Sequence, residues 1–562
     1  MAGTLLSLPL ELINMICYTL NMADIKHLRL SCKQLSDFLE NSVLCSIFFN
    51  INATNISSTL PSLRCMGTGG LPATSRATTD LDIRCLAPTY DSRHGPEGSY
   101  VDGKWVKKPR PPNPPEVIFV EAEMRTYLLL ALMSLKNVHS IRWKIHYKDD
   151  EWAQNTVATA LRSFCALRTL HLEIDFIKIP IPLQHLYHLE NVTIIESRTP
   201  SGEGFSYETH LNLGKMITST PELTSVRVKR GGFISRDTHT SACLHQLFWC
   251  FQGDTPPLRL RRIALERMFV KLDNVTIHHF RHLVALDLCD ILEPPNPDDT
   301  VDSDGDGLPA IDPELLAAQR AIGSTLDEIW VALIKLGLRL EEIRINKVTP
   351  SFLKYLETYS GLIKLDMRVN EFRNVVESNK WASQFFKDPL AMHVHSLEEL
   401  KIRPIYEGSW GLGDHNASVL SSCTKLRTLA ISITPRHSKD TSTAHADRRE
   451  DSIVSFIHNA SWHLPRLLTL TLYTADDEGS RGNWCGTGLE DYLYWVGSQI
   501  AHLLRTYSAP PSCKHLPTVL IEVESEIFKT FVPERATFDS ATGESGGWHY
   551  RDASPSTAEE AD

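Results

Sequence analysis

Several features of secreted, membrane-spanning and nucleic-acid-binding proteins are missing from this chain of 562 residues. Its 12 cysteines are scattered without a C-x-x-C pair, so neither a disulfide framework nor a structural zinc site is indicated. The longest apolar run, Tyr127 to Met133, is too short to cross a bilayer, and no basic and apolar leader opens the sequence. We therefore expect a protein of the reducing cytoplasm or nucleus, with no membrane partner.

An excess of positive charge is also missing. With 57 Lys and Arg against 68 Asp and Glu, the net charge is -11, which argues against nucleic acid as a partner. The sequence contains no G-x-S-x-G elbow, P-loop, H-E-x-x-H or kinase motif, so we expect no catalysis by this chain and no cofactor. A hydrolase or transferase hidden in the insertions would need a buried acid–base pair in a deep pocket.

The most specific pattern lies in the first 45 residues. Pro9 suits the first turn of a helix, because its missing N–H is no loss there. The apolar residues that follow at helical spacing are Leu12, Ile13, Ile16 and Leu20. Asn21 is a good N-cap for a second helix, and Ser31 with Gln34 forms a capping-box pair that predicts a third.

The order of residues in this segment resembles the F-box family. The matching residues are Leu8-Pro9-x-Glu11-Leu12, Ile16, Leu20, Asp24, Leu28-Arg29, Cys32-Lys33 and Leu35. The resemblance implies a three-helix module over residues 1–50 that binds a Skp-type adaptor of cullin-based ubiquitin ligases. The adaptor-binding residues that it implies are Leu8, Pro9, Leu12, Ile16, Leu20 and Leu28. The alternative for this segment is a plain helical cap on a repeat domain.

A second pattern, L-x-x-L-x-L with aliphatic substitutes, recurs through the rest of the chain. The phrases begin at Val138, Leu167, Leu189, Leu223, Leu260, Leu283, Leu340, Leu362, Leu397, Leu426, Leu467 and Leu516. A short strand followed by a helical return, repeated, predicts an α/β leucine-rich-repeat solenoid with parallel strands on the concave face and helices on the convex face. The irregular spacing resembles fungal proteins that join an F-box to degenerate leucine-rich repeats. One or two ordinary α/β domains are the alternative.

Composition sets the remaining boundaries. Residues 66–116 are rich in Pro and Gly and are expected to be a loop or linker, 117–534 the solenoid, and 535–562 a disordered tail. An acidic insertion near 294–313 holds Asp302 to Gly307, which imitates the start of a calcium loop. Position 12 of that loop is Pro313 instead of Glu, so a solvated loop is expected.

Two groups of histidines are close in sequence but have no cysteine or acid among them to complete a metal site. They are His278, His279 and His282, and His393 with His395. We expect surface histidines at these positions and no bound metal.

The remaining candidate is the open face of the strands, where residues between and just after the last two anchors should point. Basic residues predominate at these positions, among them Arg142 and Lys144, and the acids Glu173, Glu266, Asp287 and Asp366 are mixed with them. The candidates for target binding are Arg227, Lys229, Arg344, Arg368, Lys401 and Arg403. A basic stripe would suit an acidic or phosphorylated target, because Arg pairs bidentately with such groups.

The combined expectation is a non-catalytic receptor that docks on a Skp-type adaptor and recruits a target protein. The alternative is a leucine-rich-repeat scaffold that acts outside any ubiquitin ligase.

Overall fold

The computed structural model describes residues 8–90, 98–101, 104–107, 115–197, 203–231, 243–251, 255–294, 313–369, 372, 375–433, 447–476, 488–509, 513, 515–535 and 547–553. The chain divides into two compact units, residues 1–282 with 294–323 and residues 283–293 with 324–562. Among the helices of these described ranges, none combines the length and apolar character needed to cross a bilayer.

Three short helices open the first unit. They are α1 (Leu10–Thr19), α2 (Met22–Ser31) and α3 (Lys33–Leu44). Their common core consists of Ile13, Cys17, Ile25, Leu35 and Leu39, all buried. Each helix contributes to this core, so the segment folds as one small bundle.

Two different caps start the second and third helices. The Asn21 side chain accepts the Asp24 N–H at 2.9 Å, as the sequence predicts. The predicted Ser31–Gln34 cap is wrong. Ser31 ends α2, where its Oγ donates to the Leu28 carbonyl at 2.7 Å, and the Cys32 sulfur instead accepts the Leu35 N–H at 3.5 Å. The cap of α3 therefore lies one residue later than predicted, because a serine at a helix end can bond back into its own helix.

The rest of the first unit alternates strands with helices. Its strands are β1 (Ser46–Ile51), β2 (Asp80–Leu86), β3 (Gly98–Val101), β4 (Lys104–Lys107), β5 (Ser140–Ile145), β6 (Thr169–Ile174), β7 (Asn191–Glu196), β8 (Ser225–Lys229) and β9 (Arg262–Glu266). Its further helices are α4 (Ile56–Gly67), α5 (Pro72–Ala77), α6 (Pro115–Ser134), α7 (Glu151–Leu161), α8 (Glu203–Ser219), α9 (Asn274–His279) and α10 (Pro313–Ile322). Strands β1, β2 and β5 to β9 form one parallel sheet in that order, and β3–β4 is a separate hairpin.

The second unit continues the alternation. Its strands are β10 (Ala285–Cys289), β11 (Glu342–Ile345), β12 (Lys364–Val369), β13 (Glu399–Pro404), β14 (Thr428–Ile433), β15 (Thr469–Thr474), β16 (Thr518–Val523), β17 (Glu526–Arg535) and β18 (Trp548–Asp552). Its helices are α11 (Leu326–Leu336), α12 (Pro350–Glu357), α13 (Val375–Lys387), α14 (Asp414–Ser421), α15 (Asp447–His463) and α16 (Gly488–Thr506). Strands β10 to β16 are parallel neighbours in chain order.

The predicted repeat strands are present, and their apolar anchors lie in register. In β12 and β13, Leu365 pairs with Leu400 and Met367 with Ile402, so equivalent anchors stack side by side in the buried layer. Each strand returns through a helix or a short helical turn, which is what makes neighbouring strands parallel. The α/β class and the parallel strand-and-helix repeat within each unit are therefore confirmed.

The predicted linker over residues 66–116 is wrong in its first part. Helix α5 and strand β2 lie there, and β2 is inserted between β1 and β5, so the sheet begins at Ser46 and not near residue 117. Leu81, Ile83 and Cys85 alternate with polar residues along β2 and are buried. That alternation is a strand signal, but the Gly- and Pro-rich composition around it hides it. The Pro-rich residues 108–114 and the acidic segment 302–307 lie outside the described residues.

The predicted disordered tail contains a strand. β17 and β18 extend the second sheet in antiparallel pairing, and the buried Tyr550 donates its hydroxyl to the Pro517 carbonyl at 3.1 Å. The change from parallel to antiparallel follows from the link between β16 and β17, which is only Glu524 and Ser525, both with positive φ. A two-residue link of this kind can make only a hairpin, since a parallel partner needs a long crossover.

Candidate docking surface and strand face

Helix α1 has two apolar faces, and only one of them is covered. Ile13 is 0% exposed and packs into the three-helix core. Leu12, Met15 and Ile16 are 43%, 65% and 37% exposed, although all three are large apolar side chains. A spacing of three or four residues places them on one side of a helix, so they form a continuous stripe, here called the docking face.

The residues implied by the F-box resemblance separate into two groups. Pro9, Leu12 and Ile16 are exposed. Leu8, Leu20 and Leu28 are half-buried and pack against the core of the three helices. Met15 belongs to the docking face, but it is not in the matched motif. Helical spacing from Leu12 would have identified it.

The six basic candidates on the strands all lie on the open side, between buried neighbours. In the first unit, Arg227 is exposed and has no ion pair among the described residues. Lys229, two residues further along β8, is 2.6 Å from the Glu266 carboxylate on the adjacent strand β9. Of the two basic candidates in this unit, Lys229 is therefore neutralised by an acid on the neighbouring strand.

In the second unit, carboxylates neutralise more of the basic candidates. Arg344 on β11 lies between Asp287 on β10 and Asp366 on β12, at 3.5 Å and 3.4 Å. Lys401 is 2.5 Å from Glu399 on its own strand. These groups form a ladder of alternating charge across the strands, which stabilises the sheet. The paired Arg344 and Lys401 are therefore less available to bind an acidic target.

Two arginines complete the set. The Arg403 Nε donates to the Tyr473 hydroxyl at 2.6 Å, its guanidinium lies 4.8 Å from that ring centroid, and Glu522 is 3.9 Å away. Arg368 on β12 is exposed and, within the described part of the chain, forms no ion pair. The predicted basic stripe is therefore mostly a paired network, in which Arg227 and Arg368 carry the uncompensated charge.

Reversing Arg344 should destabilise the protein, whereas reversing Arg227 should not. Arg344→Glu places a third carboxylate between two others, so we expect a loss of about 2 kcal/mol in the free energy of unfolding. Arg227→Glu loses no ion pair and should change it by less than about 0.5 kcal/mol. Urea unfolding of both variants measures the difference. Equal effects would show that the charge ladder contributes nothing.

His282 and His395 are exposed as predicted, but each histidine group also has a buried member. His279 and His393 are buried, and each has a structural role. The Nδ1 atom of His393 accepts the Leu362 N–H at 3.4 Å, and its Nε2 donates to the Leu356 carbonyl at 3.1 Å. A neutral imidazole can both donate and accept, so it bridges two main-chain groups that would otherwise be buried without partners. Sequence spacing gives no sign of this, because the partners are about 30 residues away.

Acid should destabilise the protein through His393. Burial lowers the pKa of His393 from 6.5 to about 4. Between these values the unfolded state binds a proton that the folded state excludes, so stability is complete above pH 6.5 and falls as the pH decreases toward 4. Between pH 7 and pH 4.5 the expected loss in the free energy of unfolding is about 2.5 kcal/mol, from about 1.4 kcal/mol per pKa unit.

His393→Gln retains a donor and an acceptor but cannot titrate, so this loss should be smaller in that variant. His395→Gln, at an exposed position two residues away, is the matched control and should behave like the unmodified protein. Urea unfolding at pH 7 and pH 4.5 makes the comparison. An equal acid loss in all three proteins would contradict the assignment.

A hydroxyl, an imidazole and a carboxylate meet in a buried polar cluster of the first unit. Ser206 Oγ donates to Glu196 Oε1, His210 Nδ1 lies 4.0 Å from the same oxygen, and Arg230 Nε lies 2.7 Å from Oε2. Burial lowers the pKa of His210. In a catalytic triad the hydroxyl bonds the imidazole, whereas here it bonds the carboxylate directly and all three groups are buried. The arrangement is that of a structural network.

Comparisons with known proteins give little guidance. No family model matches the chain, and no curated protein gives a significant match. Among solved structures, an internalin from Listeria monocytogenes is similar over 62% of this chain and 77% of its own, with 13% sequence identity and a TM-score of 0.24. A TM-score this low does not establish a shared fold. The chain's own strands and helices therefore define the architecture, which is an α/β repeat protein with a parallel sheet in each of its two units.

Proposed function

We propose that this chain is a substrate receptor of the F-box type. Helices α1 to α3 bind a Skp-type adaptor of a cullin-based ubiquitin ligase, and the strand-and-helix repeats hold a target protein. The observation that carries the proposal is the docking face of Leu12, Met15 and Ile16, which is exposed on a helix whose other face is already buried. Two of its three residues, Leu12 and Ile16, belong to the F-box resemblance.

The energetics support a partner at this position. Fully burying one large apolar side chain contributes about 1.5–3 kcal/mol, so three such side chains supply several kcal/mol on binding. A bundle with a five-residue core has little surface of its own to bury, and it gains stability when a partner covers the open side. The half-buried Leu8, Leu20 and Leu28 pack against this core.

Target capture is proposed for the open strand face. Arg227 in the first unit and Arg368 in the second are exposed and uncompensated among the described residues, so each can pair with a carboxylate or phosphate of a target. The receptor performs no bond chemistry in this proposal. It acts by proximity, because holding a target on the same assembly as the ubiquitin-charged enzyme raises the effective concentration of target lysines. The compartment is the cytoplasm or nucleus.

Adaptor capture tests the proposal directly. The full chain and a chain that begins at Ser46, the first residue of β1, are each incubated with a purified Skp-type adaptor and cullin. We expect capture by the full chain only. If the full chain does not bind the adaptor, the F-box assignment fails and the alternative is favoured, a repeat scaffold outside any ubiquitin ligase. Proteins that both chains retain are candidate targets.

A further inference from the structure

Three potential metal ligands meet in the interior of the first unit. They are Cys85 near the end of β2, and His146 and Asp149 just after the end of β5. One ligand atom of each, a thiol sulfur, an imidazole nitrogen and a carboxylate oxygen, lies within 4.8 Å of the others, and all three residues are buried. Strands β2 and β5 are parallel neighbours, so their carboxyl ends lie at the same edge of the sheet.

The surroundings hold these groups in place. The two Asp149 oxygens accept the Leu86 N–H at 2.8 Å and the His146 N–H at 3.0 Å, so the carboxylate already ties the end of β2 to the loop after β5. The rings of Tyr90 and Tyr147 lie with their centroids 4.5 Å from that of His146 and restrict the imidazole. Each carboxylate oxygen still has a lone pair for a cation.

The cluster has the donor set of a transition-metal site. Burial raises the pKa of Asp149 to about 7 and that of the Cys85 thiol to about 12. The Lys178 ammonium group donates to the Asp149 main-chain carbonyl at 2.6 Å and lies 3.8 Å from the Asp150 carboxylate. A divalent ion would balance one thiolate and one carboxylate with no net charge left in the interior.

We propose that Cys85, His146 and Asp149 form a binding site for zinc or a similar divalent transition metal. Sulfur, imidazole and carboxylate are all zinc ligands, and three protein ligands leave one coordination position for water. Zinc–ligand bonds of about 2.0–2.3 Å put neighbouring ligand atoms roughly 3.5 Å apart, so the three groups draw together when the ion binds. A metal at Nδ1 of His146 replaces the hydrogen bond from the Lys148 N–H, which is 3.2 Å long.

The site joins the ends of two adjacent strands through residues that are more than 60 positions apart in sequence. Metal binding should therefore stabilise the folded first unit, because the unfolded chain cannot hold the three ligands together. This role is independent of adaptor docking, and either proposal can fail without the other.

The test uses the full chain, freed of metal with a chelator and then titrated with Zn²⁺ or Co²⁺ alone. We expect one equivalent to bind, a rise in Tm with Zn²⁺, and a thiolate-to-metal charge-transfer band with Co²⁺ in the near ultraviolet. Cys85→Ser should remove the band and weaken Zn²⁺ binding at least tenfold. Should this variant fail to fold, His146→Gln makes the same comparison through affinity and Tm.

Cys243→Ser is the matched control. The Cys243 sulfur is also buried and lies 3.5 Å from a histidine nitrogen, that of His245, but this pair belongs to no three-ligand group among the described residues. The control should keep the Co²⁺ band and the Zn²⁺ affinity. Absence of binding to the folded protein overturns the proposal, as does a band that survives Cys85→Ser or is lost in Cys243→Ser. In those cases Asp149 is only a structural cap for two main-chain N–H groups.

Discussion

Replacing Met15 and Ile16 together with aspartate should abolish adaptor capture while leaving the protein folded. Met15 is 65% and Ile16 37% exposed, and neither belongs to the buried core of the three helices, so the change leaves that core intact. In the bound state each aspartate would be buried against an apolar partner without compensation. Truncating one central anchor of an interface commonly costs 2 kcal/mol or more, so two changes should lower the affinity by a factor on the order of 1000.

The choice of residues follows from the burial of each side chain. Changing Leu8 to a charged residue would also reduce binding, but Leu8 packs against the core of the helices, so lost binding could reflect lost folding. Phe48→Asp is the matched control. Phe48 is 66% exposed, close to the 65% of Met15, but it lies on β1, outside the three helices that carry the docking face. Calorimetric titration with purified adaptor, with circular dichroism of each variant, measures both properties. If Phe48→Asp weakens binding as much as the double change, the docking face is wrongly placed.

Replacing Arg230 with methionine should destabilise the first unit by about 3–5 kcal/mol, the usual result of stranding a buried charge. The Glu196 side chain is completely buried, and the Arg230 guanidinium, whose Nε lies 2.7 Å from Oε2, compensates its charge. His210, which lies on the other side of the carboxylate, cannot take over this role easily, because burial lowers its pKa. Methionine occupies much of the same volume, so the loss should be electrostatic.

Two further variants separate charge from packing. Adding Glu196→Gln to Arg230→Met removes the stranded charge and should recover part of the stability. Arg168→Met breaks a pair with Glu190 in which both side chains are exposed, and it should cost less than about 1 kcal/mol. Thermal and urea unfolding of the full chain provide the measurements. Similar small losses in Arg230→Met and Arg168→Met would show that the Arg230–Glu196 ion pair contributes little to stability.

The local elements were largely predictable, because each depends on residues that are close in sequence. The repeat phrase located the strands from β5 to β16. Side chains alternate between the two faces of a sheet, so apolar residues at every second position all lie on the buried face. Asn21 was recognised as a cap for the same local reason. Prediction failed where composition outweighed periodicity, as in β2 and β18, and where a competing bond was available, as at Ser31.

The candidate sites were also predicted only in part from the sequence. The sequence by itself determined that α1 would carry more apolar residues than one core needs, and that the strands would present arginines and lysines on their open face. Only the tertiary structure decided that Ile13 is covered while Ile16 is open, and that Arg344 is paired while Arg227 has no ion-pair partner in the described ranges. The same is true of Cys85, His146 and Asp149, which no spacing rule connects. The physical reason is that helix and strand periods act over a few residues, whereas burial, ion pairing and metal ligation depend on neighbours that the chain brings together from distant positions.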